Sequence, residues 1–369
     1  MALTQDALYA GIDLELSWSE SDLPERERTK HVHRLHPYLG KFIPQLVEVL
    51  LARYFCPGQH VLDPFAGSGT TLVQALESGL DATGVDVAAF NCLLMQVKTR
   101  RYNPFVLERE LRAAHARVGE RSGERPSAYV RRWYAARAAH ELLGFRSIVD
   151  EYEHADVLRV VLARAARSAR RTTHFDLDFP REPQLEPYWC RKHRRECRPV
   201  DTAAQFLRRY TLDTLARLKD FAHVRGRGRT ATVIHADVRS EPLGRFDGVV
   251  TSPPYPGLID YHEQHRYAYE LLGLDDRREL EVGAAAAGTS RAALAAYSDG
   301  IVAALLNTKR SLRRGAPVLI VVNDRRELYP EILERAGLQL EQRLRRHVNR
   351  RTGLRAGEFF EDVLVARVR

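Results

Sequence analysis

Five consecutive residues, Thr251-Ser252-Pro253-Pro254-Tyr255, carry the most specific chemistry in a chain of 369 residues. The two prolines fix φ and bring no N–H, so the carbonyls of this turn are left to accept hydrogen bonds from another partner. Tyr255 sets a π-face beside them. An acceptor-lined pocket with an aromatic wall suits an exocyclic amine on a planar base, held through its hydrogens and stacked on the ring. The plain alternative is a Pro-Pro turn that does no more than end a strand.

A second stretch, Val61-Leu62-Asp63-Pro64-Phe65-Ala66-Gly67-Ser68-Gly69-Thr70-Thr71, joins an apolar run to a glycine-rich turn and then to a helical pattern. Gly67 and Gly69 allow a tight turn and a close approach of backbone to ligand, and a helix opening near Thr70 points N–H groups at the same space. A small anionic or zwitterionic ligand fits there. The next apolar run, Ala82-Thr83-Gly84-Val85-Asp86, ends on a carboxylate able to accept both hydroxyls of a ribose. The loop lacks the Lys-Ser/Thr ending of a triphosphate loop and the spacing of a dinucleotide fingerprint, so ATP and NAD fit poorly. Glycine-rich turns of this kind also occur for structural reasons alone.

The elements that must position these residues follow from periodicity and breakers. Residues 1–30 are polar and read as an arm or loop. Pro44 suits the first turn of a helix running through Val47, Leu50, Leu51 and Tyr54. Pro57-Gly58 closes it before the first strand, and Gly79 stops the helix that begins at Thr70. A helix through Leu93, Leu94 and Val97 follows Asp86. The αβ alternation then breaks off, and from Phe105 to about Gly228 only helical patterns are predicted, at 106–118, 127–145, 155–170 and 202–224. It resumes with strands at 231–237 and 246–250, helices around 261–273 and 291–312, a strand at 317–322, and a closing antiparallel pair near 338–346 and 361–366. Seven strands alternating with helices predict an α/β fold whose mostly parallel sheet is covered on both faces. The division expected is an N-terminal arm at 1–30, a first αβ half at 31–103, a helical insertion at 104–230 and a second αβ half at 231–369.

Composition narrows the partners. With 44% hydrophobic residues the chain can build a real core, and no apolar run reaches the length of a membrane span. Asp6, Asp13, Glu15 and Glu20 are unlike a secretory signal, so the cytoplasm is the expected compartment, with reduced thiols at Cys56, Cys92, Cys190 and Cys197. The net charge of +9 is localised: residues 104–230 carry 27 Lys and Arg against 17 Asp and Glu, and the remainder carries 30 against 31. A basic segment on a near-neutral body is the footprint of a polyanion partner. Within it Arg164, Arg167 and Arg171 are spaced to share one helical face that could follow a phosphate backbone, or equally could face water or pair with acids. A basic run holds Arg191, Arg194 and Arg195. Cys190, His193 and Cys197 in that run offer three zinc ligands, with His174 a conceivable fourth. Their spacing is not one of the standard pairs, and no metal is assigned.

Taken together these motifs resemble the S-adenosylmethionine-dependent amino-methyltransferases of DNA, which modify N4 of cytosine or N6 of adenine. Residues 63–70 resemble the family's cofactor loop, and His36-Pro37-Tyr38-Leu39-Gly40-Lys41-Phe42 resembles the segment that backs the methionine end. Asp86 matches the ribose-binding acid, and Asp237 falls where the family commonly has a residue near the adenine. Residues 252–255 match the catalytic tetrapeptide. The resemblance covers about 33–100 and 231–369 and leaves out the insertion. It implies a Rossmann-like methyltransferase fold and S-adenosylmethionine as cofactor, contacted by Tyr38, Lys41, Phe42, Asp63, Phe65, Gly67, Gly69, Thr70, Asp86, Val87 and Asp237. The partner implied is double-stranded DNA with its target base flipped, and a cognate restriction endonuclease is left open.

Ser in the first tetrapeptide position occurs in many cytosine-N4 enzymes, whereas Asp or Asn is usual in adenine enzymes, so Ser252 favours cytosine N4. The implied mechanism is direct transfer. The flipped base stacks on Tyr255, its amine bonds to the Ser252 hydroxyl and the Pro253 carbonyl, and nitrogen attacks the sulfonium methyl in line. Position and charge, without a matched motif, assign 104–230 to target recognition. Three alternatives stand beside this reading: N6-adenine transfer, a base-amine methyltransferase of RNA, and a nucleic-acid-binding protein on an inactive scaffold.

Overall fold

The run Pro317-Val-Leu-Ile-Val-Val is buried at every position, as a strand covered on both faces must be. It lies within a seven-stranded sheet. The computed structural model describes residues 13–18, 22–38, 40, 42–120, 123–177, 180–348 and 359–369. In chain order its helices and strands are α1 (Glu25–Arg28), α2 (Pro44–Tyr54), β1 (His60–Asp63), α3 (Thr70–Glu77), β2 (Asp81–Asp86), α4 (Ala89–Thr99), α5 (Pro104–Ala116), α6 (Ala128–Trp133), α7 (Ala136–Ile148) and α8 (Ala155–Ala169). There follow β3 (Tyr188–Cys190), β4 (Arg195–Cys197), α9 (Ala204–Val224), β5 (Ala231–His235), β6 (Gly248–Thr251), α10 (Tyr261–Gln264), α11 (Arg266–Leu272), α12 (Arg291–Lys309), β7 (Pro317–Val322), α13 (Tyr329–Arg335), β8 (Leu338–Val348) and β9 (Phe359–Val368).

The sheet order is β5-β2-β1-β6-β7-β9-β8. Strands β5, β2, β1, β6 and β7 run parallel, while β9 is antiparallel to both β7 and β8. This is the mostly parallel sheet expected from the alternation of strands and helices, in the Rossmann-like architecture that the resemblance implies. Strand order reverses at the β1–β6 neighbour pair, which is where doubly wound sheets open a crevice for ligands beyond the carboxyl ends of their strands. One face of the core joins Leu62, Val249, Ile320 and Leu364 of the sheet to Ile301 and Leu305 of α12 and Ile332 of α13.

The chain divides into two compact units. One holds the sheet and comprises Met1–Val87, Val224–Asp260 and Glu279–Arg369; the other comprises Ala88–His223 and Tyr261–Arg278. The helical unit therefore takes in α4, α10 and α11, which the sequence division at 103/104 and 230/231 left with the αβ halves. The physical reason is packing: α8 lies against α4, α7 and α11. A helix that follows a strand directly reads as part of the αβ repeat until its neighbours are known.

Two further expectations change. The segment at 127–145 forms two helices, α6 and α7, separated by extended Tyr134 and Ala135. The helical unit also contains the two-stranded β3–β4 hairpin, so it is not all helical. At the N-terminus the described residues lie against the sheet: the Asp13 amide donates to the Arg345 carbonyl at 2.7 Å, and the His347 amide donates to Ser17 Oγ at 3.1 Å. These bonds cover part of the exposed edge of β8, a common way to blunt an edge strand.

Candidate active site

Asp63 ends β1, and Thr251 ends the adjacent β6, with Leu62 opposite Val249 in the register. The Thr251 hydroxyl donates to Asp63 Oδ1 at 2.7 Å, the Thr71 hydroxyl to Oδ2 at 2.6 Å, and the Phe65 amide to Oδ1 at 3.1 Å. Burial pushes the Asp63 carboxyl up to about 6, with the charge of Asp86 adding to it and the three hydrogen bonds opposing it. The side chain is thus spent inside the protein. It ties the glycine loop and the first turn of α3 to the strand that delivers Ser252.

The loop itself is shaped by its glycines. Gly67 has φ +50 and Gly69 φ +80, and a Cβ on Gly67 would lie 2.9 Å from the Tyr38 hydroxyl. Tyr38 therefore packs on the loop at the point where a side chain is excluded. Gly69 caps α3 in the left-handed conformation without a side-chain hydrogen bond to the first turn, and Thr70 and Thr71 beneath it are buried. First-turn N–H groups without a side-chain cap suit an anionic group.

Asp86, at the end of β2, accepts from the Gly67 amide at 2.8 Å. The neighbouring β5 ends alongside, with the Ala236 amide bonded to the Asp86 carbonyl at 3.1 Å and His235 Nε2 3.0 Å from the Val87 carbonyl. Phe65 packs on the core of the sheet, and Phe42 is buried. Lys41 lies outside the described residues. Asp237 follows β5, but both of its oxygens are engaged by Arg239 at 2.7 to 2.9 Å. Although burial works to raise it, bonding to Arg239 holds the Asp237 carboxyl below its ordinary value.

Beyond β6, Pro253 is buried, and Ser252, Pro254 and Tyr255 are half-buried. The Tyr255 hydroxyl donates to Glu361 Oε1 at 3.1 Å and shares a hydrogen bond with Ser252. Burial and the Glu361 carboxylate push this phenol well above its ordinary range. Tyr255 remains protonated and its ring is held in place. It lines a cavity of about 230 Å³ with Pro256, Leu258, Tyr297, Leu328 and Tyr329.

The glycine loop at the end of β1 and the Ser-Pro-Pro-Tyr turn at the end of β6 are thus neighbours, bridged by one carboxylate. The DNA methylase family matches residues 8–96. Type II methyltransferase M.MjaII of Methanocaldococcus jannaschii is 34% identical, over 96% of this chain and 83% of that protein. The chain belongs to the S-adenosylmethionine-dependent DNA amino-methyltransferases. Type II methyltransferase M.MvaI of Kocuria varians is 23% identical over 67% of the chain and 59% of its own length. Among solved structures, the rRNA methyltransferase aviRa of Streptomyces viridochromogenes is a distant likeness, with a TM-score of 0.36 at 12% identity over 90% of this chain and 88% of that one.

The cofactor of this methyltransferase family is S-adenosylmethionine, which supplies an electrophilic methyl group on a sulfonium centre. The residues present fit it: a glycine loop held in the left-handed conformation at Gly67 and Gly69, an α3 N-terminus without a side-chain cap, and a carboxylate at the end of β2.

The three arginines expected to share one face of α8 do not present a common face to a phosphate backbone. Arg164 is only 6% exposed, donates to Thr214 Oγ1 at 2.7 Å, pairs with Asp213 and stacks over Tyr210 at 4.3 Å. Arg167 is half-buried, and Arg171 lies past the helix end at Ala169, its amide bonded to the Trp133 carbonyl at 2.8 Å. The cause is that α8 is an interior helix, buried along Val157, Leu158, Val160, Val161, Leu162, Ala163, Ala165 and Ala166. Arg191, Arg194 and Arg195 instead stand exposed on the β3–β4 hairpin. No helix among the described residues is long and apolar enough to cross a membrane.

Sequence reasoning missed Glu361 and Thr71 as members of the site, and Arg239 as the partner of Asp237. Glu361 did carry a signal. With Asp362 it is an acid set against the apolar run Val363-Leu364-Val365-Ala366, where only a buried partner makes it tolerable.

Proposed function

We propose that the chain methylates the exocyclic N4 amine of cytosine in double-stranded DNA by direct attack of the amine of a flipped base on the sulfonium methyl. The observation that carries the proposal is Ser252 at the head of the tetrapeptide, directly after a strand coupled through Asp63 to the glycine loop. The Ser252 hydroxyl and the Pro253 carbonyl accept from the amine and orient it, keeping electron density on nitrogen, and the proton released on methylation passes to water. Tyr255 offers the stacking wall, and Glu361 fixes its ring. The half-buried turn limits water, and the contribution of the protein is orientation and electrostatics, with no covalent enzyme intermediate.

Cofactor binding is proposed for Tyr38, Phe42, Phe65, Gly67, Gly69, Thr70, Asp86, Val87 and the Asp237 region, with Asp63 acting through the loop it braces. Target recognition is assigned to the helical unit, with Arg191, Arg194 and Arg195 as phosphate contacts. Steady-state methylation by Ser252→Ala tests the central role. The expected result is a fall in kcat of at least about tenfold, of the size seen when an oriented polar contact is lost, with little change in cofactor affinity. Unchanged turnover would remove Ser252 from the mechanism.

A further inference from the structure

Four potential ligands from two separate parts of the chain converge beside the β3–β4 hairpin: His174, Cys190, His193 and Cys197, whose donor atoms all lie within 4.8 Å of one another. Cys190 Sγ is 3.5 Å from His174 Nδ1 and 3.6 Å from His193 Nδ1, and His193 Nδ1 is 3.4 Å from Cys197 Sγ. With Zn–S near 2.3 Å and Zn–N near 2.05 Å, a tetrahedral ion separates sulfur from nitrogen by about 3.6 Å. All three contacts fall at that edge length. Hydrogen bonding accounts for them less well, because a ring nitrogen has one lone pair and His193 Nδ1 faces two thiols at once.

We propose that these four residues form a structural zinc site. Two thiolates and two imidazoles in tetrahedral array are the donor set of zinc, and four protein ligands leave no open position for a substrate. The surroundings are built for it. The Tyr188 hydroxyl accepts from the His174 amide at 3.0 Å and sits 2.8 Å from His174 Nδ1, which holds this ring beside the hairpin; a metal on Nδ1 displaces only the second of these contacts. Cys190 is fully buried and Cys197 nearly so, and among the described residues no cysteine is in a disulfide.

The fold also needs such a link. Strands of three residues each make a hairpin that is marginal in water on its own, and Arg194 in its turn has φ 52. Yet this hairpin presents Arg191, Lys192, Arg194, Arg195 and a Trp189 that is 67% exposed. A metal bound at its base, with His174 tying it to the preceding loop, replaces the missing core. The inference rests on the ligand geometry and is independent of which base is methylated.

The test is metal analysis of the untagged full-length chain by plasma mass spectrometry, with cobalt(II) reconstitution. About one zinc per chain is expected, along with the thiolate-to-cobalt charge-transfer band and intense visible absorption of a tetrahedral site. Cys190→Ser with Cys197→Ser should remove the metal, whereas Cys56→Ser, outside the cluster, should retain it. Should the double variant fail to fold, chelation of the unmodified chain gives the same answer, by release of zinc and by new proteolytic cleavage within 171–203. Protein that is purified without metal and takes up no cobalt would overturn the proposal, as would a Cys190–Cys197 disulfide in peptide mass maps.

Discussion

Thr251 and Asp63, 188 positions apart, meet through a 2.7 Å hydrogen bond between adjacent strands. The residue before the Ser-Pro-Pro-Tyr turn is thereby fixed to the start of the glycine loop, and the same carboxylate holds Thr71 in the first turn of α3. With the β1–β6 pairing, this one buried group ties the glycine loop to the Ser-Pro-Pro-Tyr turn. Thr251→Val keeps the shape and removes the donor. A loss of about 1–3 kcal/mol in folding stability is expected from the under-satisfied carboxyl. A fall in kcat should accompany it, with Thr251→Ser restoring both; calorimetry and steady-state kinetics read the two effects.

The pH dependence of stability carries a distinct sign at this site. Burial pushes the Asp63 carboxyl from 3.8 up to about 6, so the fold favours its protonated form. Its stabilising contribution is complete below the lower value and is lost as pH rises through the upper one, a difference of about 3 kcal/mol at 1.36 kcal/mol per unit. Carboxyls held low, such as Asp213, act in the opposite direction but are common to both proteins in a comparison with Asp63→Asn. Urea unfolding from about pH 4.5 to about pH 7.5 should show the variant gaining on the unmodified chain as pH rises. A constant difference would mean that Asp63 is ionised throughout.

Tyr255 has two separable parts, a ring and a hydroxyl bonded to Glu361. Tyr255→Phe and Glu361→Gln leave the stacking face and should reduce kcat/KM by only about tenfold, the equivalent of one hydrogen bond of about 1.4 kcal/mol. Tyr255→Ala removes the wall and should cost about 1–3 kcal/mol in binding of the base, seen as a raised KM for DNA.

Two sets of arginines should separate cleanly. Arg164→Ala breaks a buried pair with Asp213 and should lower stability by about 3–5 kcal/mol, leaving the salt dependence of DNA binding unchanged. Replacing Arg191, Arg194 and Arg195 by Ala should leave stability nearly unaltered and flatten the plot of log K against log salt by about one unit per lost phosphate contact. Binding titrations at several salt concentrations distinguish them.

Much of this fold was legible because its signals are local. The strand at 317–322 is uniformly apolar, Pro44 and Gly79 bracket helices, and the closing pair at β8 and β9 follows the parallel strands in order. The glycine loop and the Ser-Pro-Pro-Tyr turn were legible for the same reason. What was hidden depends on partners remote in sequence. For Arg164 the choice between a phosphate, water and an acid stayed open in the sequence, because nothing near it announces Asp213. Asp63 looked like a ligand contact because its hydroxyl donors lie 8 and 188 residues away. His174 could be set beside Cys190 only once the chain between them had a path.

Methylation of cytosine N4 in DNA by the coupled loop and turn is tested most directly by product analysis. Transfer from labelled S-adenosylmethionine would be measured on unmodified genomic DNA and on total RNA, with nucleoside mass spectrometry of each. N4-methylcytosine in DNA is expected, absent with Ser252→Ala. N6-methyladenine as the product, or label in RNA alone, would contradict it.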